Sequence, residues 1–230
     1  MAYPGFDTGN FPGLPALEAW WGNSPFVWVG YYLPAPCHTS TFVPWIGNRA
    51  AIAAIGYGFA VVYVGRFQGG CGDADLSRDQ GFTDGQQAAA TTQSEGFPDG
   101  STIFLDVEKY DPPIRQDMQD YVRGWLNAVQ TASFNPGIYV HHTNLDEVNL
   151  AAETEYAALG LPGGHPKYWI LYAGPAFDVA TSAPTDCKIA LANVWQGDIN
   201  VTGQTYGGVA ISVVDFNVAD QSDPSAAFSI

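Results

Sequence analysis

The chain has 230 residues, of which 47% are hydrophobic and 14% aromatic, and its 23 acidic and 8 basic side chains give a net charge of -15. Such a composition excludes a disordered chain, and the length allows one sizeable core. The sequence therefore predicts a single domain over 1–230, with a loosely anchored tail at about 219–230. The excess of acidic side chains repels phosphate backbones, so we expect no nucleic-acid partner.

The beginning of the chain lacks the basic and apolar stretches of a secretory leader. Because charged residues make up only 13% of the chain, we expect the mature domain of a secreted or cell-wall-associated protein. The longest apolar run, 50–65, is interrupted by Gly56 and Gly58 and is short for a membrane span. The sequence accordingly predicts a monomer without a membrane span.

Apolar segments alternate with helical segments or long loops along the chain. Eight apolar segments predict strands at 3–6, 26–32, 59–64, 102–105, 137–140, 168–172, 191–195 and 209–214. Five segments predict helices at 14–21, 48–55, 84–95, 114–131 and 145–159. In the helix at 114–131, apolar side chains recur every three or four residues, as the buried face of an amphipathic helix requires.

This order of elements predicts an α/β fold, a single TIM-type (β/α)8 barrel with one helix missing between strands 6 and 7. A doubly wound sheet is the alternative, and it needs a glycine-rich phosphate-binding loop after the first strand. The residues that follow the first strand, Asp7-Thr8-Gly9, do not form such a loop.

Three cysteines leave an odd count. Cys37 and Cys71 lie in the predicted loops after strands 2 and 3, where a disulfide between them is geometrically plausible in an oxidising compartment. The alternative is three unpaired thiols. In either case Cys187 stays unpaired.

Acidic side chains end three of the predicted strands, and in (β/α)8 barrels the functional groups come from the carboxyl ends of strands. The fourth strand leads into Asp106 and Glu108, which share one face of an extended chain because they are two residues apart. Repulsion between two such carboxylates raises the pKa of one of them. Asp7 and Asp215 end strands 1 and 8, so acids converge on one rim.

Aromatic and polar side chains occupy the other strand ends. Carboxylates ringed by Tyr and Trp are typical of a sugar site, because acids act on the glycosidic oxygen and flat rings cover the apolar faces of pyranoses. A single aromatic side chain is more often a packing residue, so the signal is that aromatics occur at several strand ends together. The predicted substrate-binding residues are Tyr32, Tyr110, Tyr139, His141, Tyr172, Trp195, Gln196, Asp198 and Asn217. The adjacent residues His141 and His142 face opposite ways on a strand, so we expect no metal and no other cofactor.

Four segments together resemble a known family. They are GFDTGNFPGLPALEAWWG at 5–22, VWVGYYL at 27–33, AVVYVGR at 60–66 and DGQQAAATTQSEGFPDGSTIFLDVEKY at 84–110. They resemble the glycoside-hydrolase-like domain family of exported actinobacterial proteins, which combines an opening G-F-D with a D-V-E-x-Y strand behind an Ala-rich helix. More distantly, the layout is similar to the family-25 muramidases, a class of lysozymes.

The resemblance implies a glycoside hydrolase that acts on N-acetylated cell-wall polysaccharide, peptidoglycan above all. It implies Glu108 as the general acid, with Asp106 positioning or polarising the acetamido group of the substrate. Asp7 and Asp215 would line the same pocket. The alternative is a catalytically silent barrel that binds wall glycan or a protein partner. The muramidases have Ser and Gln after the first Asp, whereas Thr8-Gly9-Asn10 stands here.

Overall fold

Eight strands close into a barrel in the computed structural model of the protein, which describes residues 2–38, 44–107 and 110–227. The strands are β1 (Tyr3–Asp7), β2 (Trp28–Tyr32), β3 (Gly58–Val64), β4 (Thr102–Val107), β5 (Asn135–His141), β6 (Lys167–Leu171), β7 (Ala192–Val201), β8 (Thr205–Tyr206), β9 (Val209–Ala210) and β10 (Val214–Ala219). Around the barrel the order is β1-β10-β7-β6-β5-β4-β3-β2, and β8 pairs with β9 in a separate hairpin. The predicted α/β barrel is confirmed.

One helix follows each of the first five strands. The helices are α1 (Leu14–Trp20), α2 (Arg49–Ile55), α3 (Arg78–Ser94), α4 (Gln116–Thr131) and α5 (Leu145–Leu159). Between β6 and β7 the chain forms a 3-10 turn at Pro184–Cys187 and no α-helix, as the sequence predicted. The apolar run 50–65 divides between α2 and β3, and no helix in the described ranges is long and apolar enough to span a membrane.

The eighth barrel strand differs from its prediction in place and in direction. The sequence predicted it at 209–214, but β10 begins at Val214 and runs antiparallel to both β1 and β7. The apolar run at 209–214 instead contributes β9, where the carbonyl of Val209 accepts a hydrogen bond from the indole of Trp20 on α1. The true strand was hidden because two of its inward positions, Asp215 and Asn217, are polar.

Helix α3 begins six residues earlier than predicted, at Arg78 and not at 84. The side chain of Ser77 caps it by accepting a hydrogen bond from the backbone N–H of Gln80. The prediction began the helix after Gly81, since glycine is unfavourable in a helix interior. Here it permits close packing, because a β-carbon at this position would lie 2.0 Å from the carbonyl oxygen of Tyr121 on α4.

Aromatic side chains fill the barrel interior towards the amino-terminal ends of the parallel strands. Trp169 on β6 meets Trp28 and Phe104 edge to face, with ring centroids 5.7 and 5.8 Å apart. Small and branched residues complete this cluster: Ala60, Val62, Val194 and Ala219. The barrel therefore has a packed apolar floor and no open channel.

A disulfide joins the loops that follow β2 and β3. Cys37 and Cys71 are bridged, with their Cα atoms 5.8 Å apart, and Cys187 is a free, buried thiol. Of the two possibilities that the sequence left open, the bridge is the one found.

The segment 220–227 packs against the amino-terminal end of the barrel, so for these residues the prediction of a loosely anchored tail was wrong. Ser225 is 2% exposed, and its hydroxyl accepts a hydrogen bond of 2.8 Å from the backbone N–H of Val61. The carboxylate of Asp223 accepts one of 3.0 Å from the N–H of Phe59. The segment is anchored because the backbone donors at the start of β3 need acceptors once they are buried.

We expect removal of the Ser225 hydroxyl to destabilise the barrel. In Ser225→Ala the buried N–H of Val61 loses its acceptor, so the free energy of unfolding should fall by about 1–3 kcal/mol. Urea unfolding followed by tryptophan fluorescence measures the change. Ser222 is exposed in the same segment, and Ser222→Ala should stay within about 0.5 kcal/mol of wild type. Equal losses in the two variants would contradict this role of Ser225.

Candidate functional site

Polar side chains replace the apolar interior at the carboxyl-terminal rim of the barrel. Alternation along each strand places them on the same inner face as the aromatic floor. Because β10 is reversed, its first residues lie at this rim, and Asp215 pairs in register with Asp7. The polar layer consists of Asp7, Tyr32, Asp106, Tyr139, Gln196, Asp215 and Asn217.

The carboxyl group of Asp7 is at the centre of this layer. It is 4% exposed and accepts three hydrogen bonds. Tyr32 donates its hydroxyl to Oδ2 at 2.7 Å, while Asn217 and Gln196 donate their amide N–H groups to Oδ1 at 2.8 and 3.3 Å. Donors from three different strands therefore fix the position of one carboxyl group.

Gly30 on β2 gives Asp7 the space to lie against the barrel wall. A β-carbon at this position would stand 2.5 Å from the Cβ of Asp7 and 3.2 Å from its Cα. Contacts this short do not occur, so any side chain at position 30 would displace the acid. The sequence V-G-Y-Y thus contains glycine for close approach and not for a turn.

Trp169 determines which way the amide of Asn217 points. Its indole N–H donates to Oδ1 of Asn217 at 2.9 Å. Since an indole nitrogen can only donate, the amide NH2 of Asn217 is directed to the opposite side, where Asp7 accepts its hydrogen bond. The aromatic floor and the acidic rim are connected through this one residue.

Gln196 bridges the two acids of the neighbouring strands β1 and β10. Tyr139 donates its hydroxyl to Oε1 of Gln196 at 2.6 Å, which orients the amide. Its Nε2 then donates to Oδ2 of Asp215 at 2.7 Å and to Oδ1 of Asp7 at 3.3 Å. One side chain therefore holds both carboxyl groups at a set separation.

Asp215 receives a second donor from the end of β7. The backbone N–H of Asn200 donates to its Oδ1 at 2.6 Å. Asn200 has a φ of 57°, the left-handed conformation that few residues other than glycine adopt. The pairing of β7 with β10 shifts register between Val214 and Phe216, which gives the chain the irregular path that this contact needs.

Burial raises the pKa of both acids, and at Asp7 the charge of Asp215 adds to it. Burial, and next the charge of Asp215, raise the pKa of Asp7 to about 8, although the hydrogen bonds from Tyr32 and Asn217 lower it in part. Burial likewise raises the pKa of Asp215, against the hydrogen bonds from Asn200 and Gln196. Raised carboxyl pKa values at a barrel rim are typical of acid–base and binding sites.

A cavity of about 230 Å3 opens beside these acids. It is smaller than the roughly 300–1,000 Å3 of sites for drug-sized ligands, so it has room for one small unit, such as a single sugar ring. Its walls are formed by Asp7, Thr8, Gly9, Asn10, Tyr32, Asn200, Val213, Val214 and Asp215.

Asp106 approaches the same layer from β4. It is 6% exposed, and its charge is the third cause, after burial and the charge of Asp7, that raises the pKa of Tyr32. Asp106 therefore lies within electrostatic reach of the hydroxyl that binds Asp7. Glu108, the predicted general acid, lies outside the described residues.

Two predicted substrate-binding aromatics are not brought to this site. Trp195 is fully buried outside the barrel, against Phe177, Cys187 and Val218, because its neighbour Gln196 takes the inward position of β7. Tyr110 is 4% exposed and packs on the outer, helical side of the sheet. The structure thus shows both side chains as packing residues, and their roles in binding stay predictions.

Three other predicted residues lie near the rim but not in the walls of the cavity beside Asp7. The ring of Tyr172 stacks on His142 with centroids 4.0 Å apart. His141 contacts Thr143 through its Nδ1 at 2.7 Å, and Asp198 is exposed on β7. Their roles in binding stay predictions.

Two residues that orient the polar side chains of this layer were not predicted from the sequence. Trp169 lies inside an apolar strand segment, and no pattern distinguishes a tryptophan that orients an amide from one that only packs. Asn200 lies past the predicted end of strand 7, because β7 extends to Val201. The only signal for Asn200 is that asparagine tolerates positive φ better than most residues.

Comparisons with known proteins give one family and several solved structures of the same fold. A family model described as "Rv2525c-like, glycoside hydrolase-like domain" matches residues 18–219. No curated protein matches the chain. Among solved structures, an uncharacterized protein of B. stearothermophilus is 14% identical with a TM-score of 0.65, and the match covers 98% of this chain and 100% of that one.

Two further structures have the same fold. The spore cortex lytic enzyme SleM of Clostridium perfringens is 13% identical with a TM-score of 0.61, over 95% of this chain and 67% of that one. The modular autolysin LytC of Streptococcus pneumoniae, solved in complex with a synthetic peptidoglycan ligand, is 11% identical with a TM-score of 0.57, over 94% of this chain and 46% of that one. At these identities the likeness shows the fold alone.

We expect Asp7→Asn to flatten the pH dependence of stability. Because the folded-state pKa of Asp7 is raised to about 8, the folded protein keeps a proton that the unfolded chain releases above about pH 4. Wild-type stability should therefore fall as the pH rises from about 4 to 8. Asparagine does not titrate, so it removes the pH dependence of stability that comes from Asp7. Its side-chain oxygen can still accept the hydrogen bond of Asn217.

Thermal unfolding from pH 4 to pH 8 tests this expectation. The melting temperature of Asp7→Asn relative to wild type should rise steadily across that range. Asp99→Asn removes one negative charge from an exposed turn and should keep the wild-type slope. Parallel curves for Asp7→Asn and wild type would show that Asp7 is ionised throughout.

Proposed function

Because the chain belongs to the Rv2525c-like glycoside hydrolase-like domain family, we propose that it hydrolyses glycosidic bonds of N-acetylated cell-wall polysaccharide. The substrate class is peptidoglycan, and the protein acts as a muramidase-like enzyme. A secreted or wall-associated location follows from that substrate.

The observation that carries the proposal is the arrangement of acids at the barrel rim. Gln196 donates hydrogen bonds to both Asp7 and Asp215 and so holds these two acids together at the seam between β1 and β10, and Asp106 comes from β4 across the barrel. A small cavity opens beside the pair. Glycoside hydrolysis needs carboxyl groups that flank the scissile bond, with at least one held protonated near neutral pH.

In the proposed mechanism Glu108 is the general acid. Its proton passes to the glycosidic oxygen as the bond from that oxygen to the anomeric carbon breaks. The sugar that contains this anomeric carbon also carries the acetamido group. The carbonyl oxygen of that group forms a temporary bond to the anomeric carbon, as in substrate-assisted hydrolysis. Water then attacks this carbon, gives its proton to the Glu108 carboxylate and restores the acetamido group.

Asp106 and the acid pair have supporting roles in this proposal. Asp106 positions and polarises the acetamido group, whose N–H acquires positive character while the carbonyl oxygen is bonded to carbon. Asp7 and Asp215 hold the sugar unit, because their oxygens and the hydroxyl of Tyr32 line the cavity. Substrate binding is expected at Tyr139, Gln196 and Asn217 as well, either directly or through the orientation of the two acids.

The choice of peptidoglycan is supported by the proteins of similar fold. One is a spore cortex lytic enzyme and another is an autolysin with a bound peptidoglycan ligand. The acidic net charge of -15 gives no attraction for strongly anionic polymers such as nucleic acids. Instead of basic side chains that would bind an anion, the rim has aromatic rings and carboxyl groups, which bind sugars.

A second candidate function is a silent barrel that binds wall glycan without cleaving it. It is favoured by one specific feature, the complete set of internal hydrogen bonds to Asp7, which stabilises this acid without any substrate. Product analysis separates the two functions, since only the enzyme releases fragments.

We expect Glu108→Gln to lower kcat on purified peptidoglycan about 100- to 10,000-fold, the usual contribution of a general acid. Glutamine keeps the shape of the side chain but cannot donate the proton. Muropeptide analysis by mass spectrometry, together with an assay of new reducing ends, measures the rate and identifies the cleaved bond. Glu18→Gln, on the exposed face of α1, is the matched control and should retain wild-type kcat.

Two outcomes would count against parts of the proposal. In the first outcome, the wild-type protein releases no fragments from peptidoglycan or chitin but sediments with sacculi. This result would support the silent barrel and contradict the hydrolase. In the second outcome, the Glu108→Gln variant is as active as wild type. This result would be consistent with a hydrolase but would contradict the role of Glu108 as its general acid.

A further inference from the structure

Asn200 occupies a backbone conformation that glycine adopts more easily. In the described part of the chain, glycine fills most of the positions with positive φ, and the other residues there are Ser133, Lys188 and Asn200. Of these three, only Asn200 lines the cavity beside Asp215. If the backbone alone mattered at this position, glycine would serve with less strain.

The backbone and the side chain of Asn200 differ in how they are used. The backbone N–H is committed to Oδ1 of Asp215 at 2.6 Å. The carboxamide forms no hydrogen bond with any residue that the structure describes, and the residue is exposed. A carboxamide offers two donors and an acceptor, so the cavity wall here presents an amide that is available to a ligand.

The surroundings of this amide indicate what kind of ligand it meets. Val213 lines the same cavity and is 53% exposed, which is unusual for a large apolar side chain at a polar rim. Asp7 and Asp215 supply acidic oxygens from the barrel side. The lining is thus mostly polar, with one exposed apolar patch at Val213, and a sugar ring matches it with many hydroxyl groups and one apolar face.

We infer that Asn200 is a substrate-binding residue whose carboxamide hydrogen-bonds the acetamido or a hydroxyl group of the sugar unit seated beside Asp215. This inference rests on the proposed function and adds a specificity-determining residue to it. The left-handed backbone directs the N–H to Asp215, so binding of the sugar and orientation of the acid depend on the same residue. An acetamido group is the best match, because one amide can both donate to and accept from another.

Asn200→Gly separates the two uses of the residue. Glycine keeps the left-handed backbone and its N–H, and it removes only the carboxamide. In a Glu108→Gln background, which prevents cleavage, calorimetry with the tetramer of N-acetylglucosamine should show a Kd about three- to tenfold higher, the loss of one hydrogen bond. In the wild-type background, KM for peptidoglycan should rise by a similar factor while kcat stays within about twofold.

Ser133→Gly is the matched control. It makes the same kind of change, from a residue with positive φ to glycine, at an exposed position between α4 and β5. We expect wild-type binding from this variant. The melting temperature of Asn200→Gly should equal that of wild type, since the hydrogen bond to Asp215 is retained.

The outcomes distinguish this inference from the proposed function. Unchanged Kd and KM in Asn200→Gly would overturn the role of the carboxamide, while release of fragments by wild type would still support the hydrolase. Equal weakening in Asn200→Gly and Ser133→Gly would also overturn it. If the wild-type protein neither binds nor cleaves any N-acetylated glycan, both the role of Asn200 and the proposed function are contradicted.

Discussion

The carboxyl group of Asp7 is buried where the barrel closes, and the rest of the site is arranged around it. β1 and β10 pair at this seam, so the first and last strands of the barrel place Asp7 and Asp215 side by side. A charge taken out of water is costly unless it is paired or neutralised. The site uses two means, hydrogen bonds from three strands and a raised pKa that keeps a proton on the acid.

The reversed direction of β10 is what makes this arrangement possible. In an antiparallel strand the residues after Asp215 go down into the barrel, so Asn217 lies deeper than Asp215, in register with Gln196. There it reaches both the indole of Trp169 and the carboxyl of Asp7. In a parallel eighth strand that ended at Asp215, Asn217 would point into the loops above the barrel and could not connect the two.

The sequence predicted the position of much of this site because two simple rules apply to it. Functional groups lie at the carboxyl ends of barrel strands, and inward residues alternate. These rules brought Asp7, Tyr32 and Gln196 to one rim, and the structure brings them together there. Their catalytic and binding roles stay predictions, and Glu108 is outside the described residues.

The rest could not be predicted, because the deciding contacts are between distant segments. Gly81 looks like a helix breaker until α4 is packed against it. Trp169 and Trp195 both lie in apolar stretches, yet one faces the barrel interior and the other faces away. Hydrophobicity favoured residues 209–214 as the last strand, whereas the true strand carries its polar groups inward. In each case the tertiary environment, which no local pattern records, decided the outcome.

The raised pKa of Asp7 also limits what the cavity accepts. Burial, and next the charge of Asp215, raise this pKa to about 8, so Asp7 keeps its proton at neutral pH. Burial first, and next the neighbouring acids Asp7 and Asp106, raise the pKa of Tyr32, so its hydroxyl keeps its proton as well. An anion in so small a cavity would lie against the oxygens of two acids and meet repulsion at low dielectric.

A neutral polyol meets no such repulsion, since its hydroxyl groups accept a hydrogen bond from the protonated Asp7 and donate to the oxygens of Asp215. If peptidoglycan is the substrate, its sugar ring enters this cavity, and the anionic ends of its peptides must point outward to solvent.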